Sequence, residues 1–145
     1  MKNLLLQSIL ALTLSQVSVF GTLVKYDTAY DDSTQSLLSV ACSDGVNGLL
    51  TKGYTTFGTL RAFPRIGGAS AVAGWNSSTC GSCWALDYNS TIVKVLAVDH
   101  TDSVNSEDVF ILSQAAMDEL TGGNAVAFGR VEVASSRVNS SICGL

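Results

Sequence analysis

Hydrophobic and polar positions alternate in short runs along most of the chain, broken by glycine and small polar residues. Leu23 to Tyr26 reads as a short strand. Tyr30 to Ser36 is polar, with Asp31, Asp32, Ser33, Thr34 and Gln35, and reads as a turn leading into a helix start. Ser36 is placed to cap a short helix through Val40 that stops near Asp44-Gly45. Glycine then recurs at positions 45, 48, 53, 58, 67, 68, 74 and 81. That spacing predicts short strands between frequent turns, as in a small barrel or sandwich. Pro64, the only proline, suits a sheet edge or strand end because it has no amide proton to donate.

The clearest hairpin joins Cys83–Tyr88 to Thr91–Val98 through Asn89-Ser90. Asn tolerates the left-handed backbone that a two-residue turn requires. Ile92 to Val98 is nearly continuous in apolar residues, which predicts a strand covered on both faces. Ser113 precedes a helix predicted over Gln114 to Leu120, with Gly122-Gly123 as its stop. A last strand is predicted from Ala125 to Val133, with Gly129 as a bulge where the apolar parity switches from Val126 and Phe128 to Val131 and Val133. Together these elements predict a mainly β fold: a barrel of about six strands with one or two short helices.

The first residues follow a different pattern. Met1-Lys2-Asn3 is a short basic start, and Leu4-Leu5-Leu6, Ile9 to Leu12 and Leu14 form an apolar core. This reads as a secretory signal peptide over residues 1–21, cut after Gly21, with a single domain over 22–145. The segment is too short and too polar at its end for a membrane span. The remaining composition narrows the classes further. The chain of 145 residues carries 12 acidic and 8 basic side chains, a formal net charge of −4. An acidic balance without basic clusters speaks against nucleic-acid binding and against an anionic membrane surface. Apolar residues at 47% and charged residues at 14% exclude a disordered tail.

Cys42, Cys80, Cys83 and Cys143 all fall in the predicted domain. Cys80-Gly81-Ser82-Cys83 is a CxxC, which a thioredoxin-like redox site or a four-Cys zinc site would use. The segment after it reads as a strand rather than a helix, and no second CxxC exists. In an exported chain the four cysteines predict structural disulfides, with three pairings open. No metal site and no cofactor is predicted.

Asp99 is the most informative candidate for chemistry. An acid at the end of an apolar strand sits at a barrel rim, where it is either a general acid for glycosidic cleavage or an acceptor for loop amides and polar ligands. Cleavage needs a second carboxylate, for which Asp44, Asp102, Glu107 and Asp108 are candidates; the binding role is preferred. His100, the only histidine, is expected as an exposed loop residue, and no GxSxG elbow accompanies it. Trp75, Trp84, Tyr54, Tyr88 and Phe57 supply aromatic faces of the kind on which sugars stack, although Trp84 beside Cys83 is expected to pack in the core on a disulfide. Three sequons, at Asn76, Asn89 and Asn139, agree with export.

Several strings taken together resemble one family. They are Tyr26-Asp27 with Tyr30-Asp31, Ser39-Val40-Ala41-Cys42-Ser43-Asp44-Gly45, Asn47-Gly48-Leu49, Phe63-Pro64-Arg65-Ile66-Gly67-Gly68, Gly74-Trp75-Asn76-Ser77, Cys80-Gly81-Ser82-Cys83-Trp84, Val98-Asp99-His100, Ala115-Ala116-Met117 with Leu120-Thr121, and Cys143-Gly144. The chain resembles the cerato-platanins, small secreted proteins of filamentous fungi. The resemblance implies a six-stranded double-psi β-barrel similar to the first domain of expansins, and bridges Cys42–Cys80 and Cys83–Cys143. It implies a non-catalytic protein of the fungal wall or fungus–plant interface. Such a protein binds chitin-type N-acetylglucosamine oligomers, loosens polysaccharide without hydrolysis, self-assembles at surfaces and elicits plant defence through a surface receptor. Asp99, Tyr54, Trp75 and Asn76 are the expected carbohydrate-binding residues. Two departures from the family pattern stand out: Thr101 to Asp108 is longer and more acidic than the usual loop, and Ile111 stands where members often have Asn.

Overall fold

Six strands take up the alternating runs in a computed structural model that describes residues 21–145. The predicted signal peptide lies outside the described residues, apart from Gly21. The strands are β1 (Thr22–Tyr26), β2 (Ile66–Ala69), β3 (Cys83–Tyr88), β4 (Thr91–His100), β5 (Val109–Leu112) and β6 (Arg130–Val138). They close into a barrel in the order β1-β5-β2-β4-β3-β6. β1/β5 and β2/β4 are parallel, and the other four neighbouring pairs are antiparallel. Closure gives every strand two neighbours in the ring.

β4 carries the barrel. Its first half alternates, with Ile92 and Lys94 exposed and Val93 and Val95 buried. Leu96, Ala97 and Val98 are then buried in succession, as the unbroken apolar run predicts. The second face is covered by helix α1 (Gln114–Thr121) and by the turn-rich segment, whose Cys42 amide donates to the Val98 carbonyl at 3.1 Å. The β2/β4 register shifts here: Gly67 pairs with Ala97, and Gly68 pairs with Asp99. The extra residue, Val98, turns Asp99 onto the rim.

Helix α1 forms where expected because its ends are fully provided for. Ser113 Oγ accepts the Ala116 amide at 3.0 Å, and the Asp31 carboxylate accepts the Gln114 and Ala115 amides at 2.7 and 3.0 Å. These bonds satisfy amides that a helix start leaves unpaired. Gly122 closes the helix in the left-handed region.

Two expectations need correction. The segment Gly45 to Gly81 holds one strand, β2; the rest is built of 3-10 turns such as Leu50–Lys52 and Phe57–Thr59. Their apolar residues, Leu49, Phe57 and Leu60, are buried singly from successive turns rather than from strand faces. The predicted last strand does not begin at Ala125. Ala125–Phe128 is one helical turn, α2, and β6 starts at Arg130. Asp118 Oδ1 accepts the Ala125 amide at 2.9 Å and starts this turn, leaving Val126 and Phe128 exposed. Gly129, at φ 68°, ends the helical turn rather than bulging a strand.

Both bridges implied by the family resemblance are formed, Cys42–Cys80 and Cys83–Cys143. The first ties the turn-rich segment to the loop before β3, and the second ties β3 to the C-terminal turn. Trp84 is half-buried and packs edge-on against Phe110 with ring centroids 5.5 Å apart, so its main aromatic partner is a ring on β5. Among the described residues every buried side-chain polar atom has a partner.

Each bridge closes a long loop, with separations of 38 and 60 residues. Loop entropy then assigns each about 4 kcal/mol. Replacing Cys83 and Cys143 by Ser is expected to lower urea-unfolding stability by about that amount. Gly67 lies where a Cβ would overlap the Ile111 carbonyl oxygen of β5. Gly67→Ala is therefore expected to cost about 2–3 kcal/mol in the same assay; an unchanged midpoint would contradict the close strand approach.

Candidate functional site

The site is built on the end of β4. Asp99 Oδ1 accepts the amides of Ala41 at 2.9 Å and His100 at 2.8 Å, and Oδ2 accepts the Tyr30 hydroxyl at 3.0 Å. Tyr30 sits in the 3-10 turn after β1, and its ring stacks on Phe57 at 5.8 Å. Burial, and then the Asp99 carboxylate, hold the Tyr30 phenol protonated far above the usual tyrosine range. A Cβ on Gly68 would sit 3.2 Å from the Tyr30 oxygen, so the glycine leaves room for this contact. Asp27, Tyr30, Gln35, Phe57 and Asp99 line a shallow depression of about 280 Å³.

A second group lies along the segment that starts at Ala41. Trp75 is 64% exposed, yet its indole Nε1 donates to Asp44 Oδ1 at 2.7 Å. That bond holds the exposed Asp44 carboxyl below the usual carboxylate range. Asn76, in the left-handed region, accepts the Asn47 amide at 3.0 Å and receives the Asn47 side-chain amide on its own carbonyl at 2.9 Å. One stretch, Ala41 to Asn47, therefore binds Asp99 at one end and frames Trp75 and Asn76 at the other. Tyr54 lies apart from this group: its hydroxyl donates to the Gly144 carbonyl at 3.3 Å, and it does not line the depression at Asp99.

The acids named as partners for Asp99 are used elsewhere. Asp44 holds Trp75, Asp108 accepts the Ser70 hydroxyl at 3.3 Å, Glu107 lines a different depression beside Arg130, and Asp102 faces His100. Asp27 is the second carboxylate at the Asp99 depression, and its Oδ1 accepts the Ala29 amide at 2.8 Å. A larger depression, about 420 Å³, is lined by Arg61, Arg65, Lys94 and Glu119. It offers charge but no aromatic ring, so Asp99 and Trp75 remain the better-equipped surface for a sugar. Among the described residues, no group of three His, Cys, Asp or Glu is placed to hold a metal ion.

His100 is the last residue of β4 rather than part of a loop. Nδ1 faces the Val72 carbonyl and Nε2 faces Asp102 Oδ1 at 3.2 Å. Both partners are acceptors, so both ring nitrogens are satisfied only when each carries a proton. The Asp102 loop itself doubles back at Asn105-Ser106, with Val104 bridged to Glu107. Ile111 lies on β5, opposite Gly68, where it is half-buried. Tyr30 and Asp31 were not picked out as site residues from composition or periodicity. Their signal is the repeated Tyr-Asp doublet, Tyr26-Asp27 at the end of β1 and Tyr30-Asp31 in the 3-10 turn after it.

Tyr30→Phe leaves Asp99 Oδ2 without its donor and is expected to cost about 1–2 kcal/mol, read by urea unfolding. The His100 pKa is raised, first by the Val72 carbonyl and then by Asp102. Its stabilising contribution is therefore full below the ordinary histidine value and fades as pH rises through the folded value. The Tm difference between the protein and His100→Ala should be larger at pH 5 than at pH 8. NMR titration of the imidazole should give a midpoint above about 6.5; a midpoint below it would contradict this geometry.

Comparison with known proteins places this architecture. Residues 22–145 match the family model for cerato-platanin. The chain is 44% identical over 122 residues to the heat-stable 19 kDa antigen of Coccidioides immitis, covering 84% of this chain and 80% of that protein. It is 33% identical over 116 residues to cerato-platanin of Ceratocystis fimbriata f. sp. platani, covering 79% and 80%. Among solved structures, cerato-platanin 1 of M. perniciosa superposes with a TM-score of 0.76 at 44% identity, over 83% of this chain and 98% of the other. The solution structure of the fungal elicitor cerato-platanin superposes with a TM-score of 0.73 at 33% identity, over 84% and 96%. By sequence over its whole barrel, and by the shape of that barrel, the chain belongs to the cerato-platanin family.

Proposed function

We propose that this protein is a secreted, non-catalytic wall-associated protein that binds chitin-type N-acetylglucosamine oligomers weakly along the surface from Asp99 to Trp75 and Asn76. The observation that carries the reading is Trp75. An indole 64% exposed but fixed by a 2.7 Å hydrogen bond presents a rigid aromatic face to solvent. Sugar rings stack their C–H faces on such surfaces, and little ordering entropy is lost when the ring is already held. Three protein donors hold the Asp99 carboxylate in place, and since a carboxylate has about four acceptor positions, one remains for a sugar hydroxyl. Its depression is shallow, and the other acid lining it, Asp27, caps its own turn. Binding single polymer chains competes with chain–chain hydrogen bonds, which loosens a polysaccharide without breaking a bond. An elicitor role extends to this chain what is said of one relative, the fungal elicitor cerato-platanin, and we place that action at a plant surface.

A shallow site of this kind is expected to bind with a micromolar to millimolar Kd, about 4–8 kcal/mol. NMR titration with N-acetylglucosamine oligomers should shift resonances at Trp75, Asn76 and Asp99, and Trp75→Ala should weaken binding about tenfold, a loss of about 1.4 kcal/mol. The absence of shifts at millimolar ligand would overturn the glycan site and favour a purely surface-active protein. Incubation with chitin and glucan oligomers should leave them intact by mass spectrometry. Shorter products that disappear in Asp99→Asn would make the protein a glycoside hydrolase or lytic transglycosylase.

A further inference from the structure

Three sequons occupy different positions in the fold. Asn76 is built into the site framework: its side-chain oxygen accepts the Asn47 amide and lies where a Cβ on Gly45 would stand 2.7 Å away. Asn139 accepts the Ser141 amide at 2.9 Å and starts the 3-10 turn that carries Cys143. Asn89 stands at the tip of the β3–β4 hairpin, where Asn89, Ser90 and Thr91 are all exposed. Asn89 and Ser90 have φ of 47° and 68°, which makes the connection a type I′ turn. The flanking residues Tyr88 and Thr91 are direct cross-strand partners, so their side chains share one face of the sheet.

We propose that Asn89 is an N-glycosylation site whose first sugar ring packs on Tyr88. The turn sets out an aromatic ring, the attachment amide and the sequon threonine in one arc, at its first, second and fourth positions. The backbone pairing of Tyr88 and Thr91 holds the turn, so the Asn89 amide is free for substitution. In the transfer, Asn89 Nδ2 bonds to C1 of the reducing-end N-acetylglucosamine of a polyprenyl-diphosphate-linked oligosaccharide. The C1–oxygen bond to phosphate breaks, the polyprenyl diphosphate leaves, and one amide proton passes to the transferase's base. The resulting sugar is tethered beside a half-buried tyrosine ring, where its apolar C–H face and the aromatic face cover one another. Asn89 adjoins the start of β4, while Asp99 lies near its far end. Eight strand steps of about 3.3 Å each place Thr91, at the base of the turn, about 26 Å from Asp99, so the glycan leaves the Asp99 surface open.

The inference rests on the protein entering the secretory pathway, and the experiment separates the two. The full chain is expressed in yeast with its own N-terminus and, in parallel, behind the host's secretory leader. Retention of the first form inside the cell counts against secretion, while the second form still reports on Asn89. Protein from the medium is deglycosylated enzymatically in heavy-oxygen water, and its peptides are mapped by mass spectrometry. Asn89 should carry the label and Asn76 should not; secreted protein with a bare Asn89 overturns the site. Removing the glycan should lower Tm by about 3–5 °C. The difference should vanish in Tyr88→Leu and persist in Tyr88→Phe. An undiminished difference in Tyr88→Leu, or its loss in Tyr88→Phe, overturns the packing.

Discussion

The Asp99 carboxylate ties two distant segments of the chain to the end of β4. Tyr30 comes from the turn after β1, Ala41 from the turn-rich segment, and His100 from the end of β4 itself. A carboxylate at a barrel rim is costly to shield from water unless its oxygens are given donors. Here two backbone amides and one phenol supply them. The register shift that makes Val98 an extra residue aims Asp99 at these donors, and the absent side chain of Gly68 gives the phenol its space. The rim geometry depends on this one acceptor.

The same bond organises the surface beyond it. Ala41 is the first residue of the stretch that carries Asp44 and Asn47, and those two residues fix Trp75 and Asn76. The Cys42–Cys80 bridge runs beside the same stretch and ties it to the loop before β3. An exposed indole is thereby oriented by a hydrogen bond to a stretch that is itself tied to the barrel. β4 then sets the distance between two proposed features, a glycan-binding surface at one end and a glycan attachment site at the other, by the span of one strand.

The hairpin at Asn89-Ser90, the strand β1 and the helix α1 were legible because each depends on near neighbours. Asn tolerates a positive φ whatever surrounds it, Ser113 caps a helix three residues ahead, and Gly122 stops it. Ala125 to Phe128 misled for a related reason. Val126 and Phe128 alternate as in a strand, but a carboxylate seven residues earlier, Asp118, starts a helical turn there instead. The buried residues of Gly45 to Gly81 alternate with turn residues in either case, and only the covering of the barrel decides for 3-10 turns.

By itself, the sequence determined the class of fold, the hairpin, the capped helix and the kinds of side chain available at the rim. All of these follow from backbone preferences and from hydrophobic spacing over a few residues. Tertiary structure alone decided that Asp99 would take donors from Tyr30 and Ala41 as well as from His100, that the exposed Trp75 would be hydrogen-bonded to Asp44, and that Tyr54 would turn toward the C-terminus. Apart from the adjacent His100 amide, those contacts join residues tens of positions apart. Their hydrogen bonds exist only once the closed barrel has brought the segments together, and no local pattern carries that information.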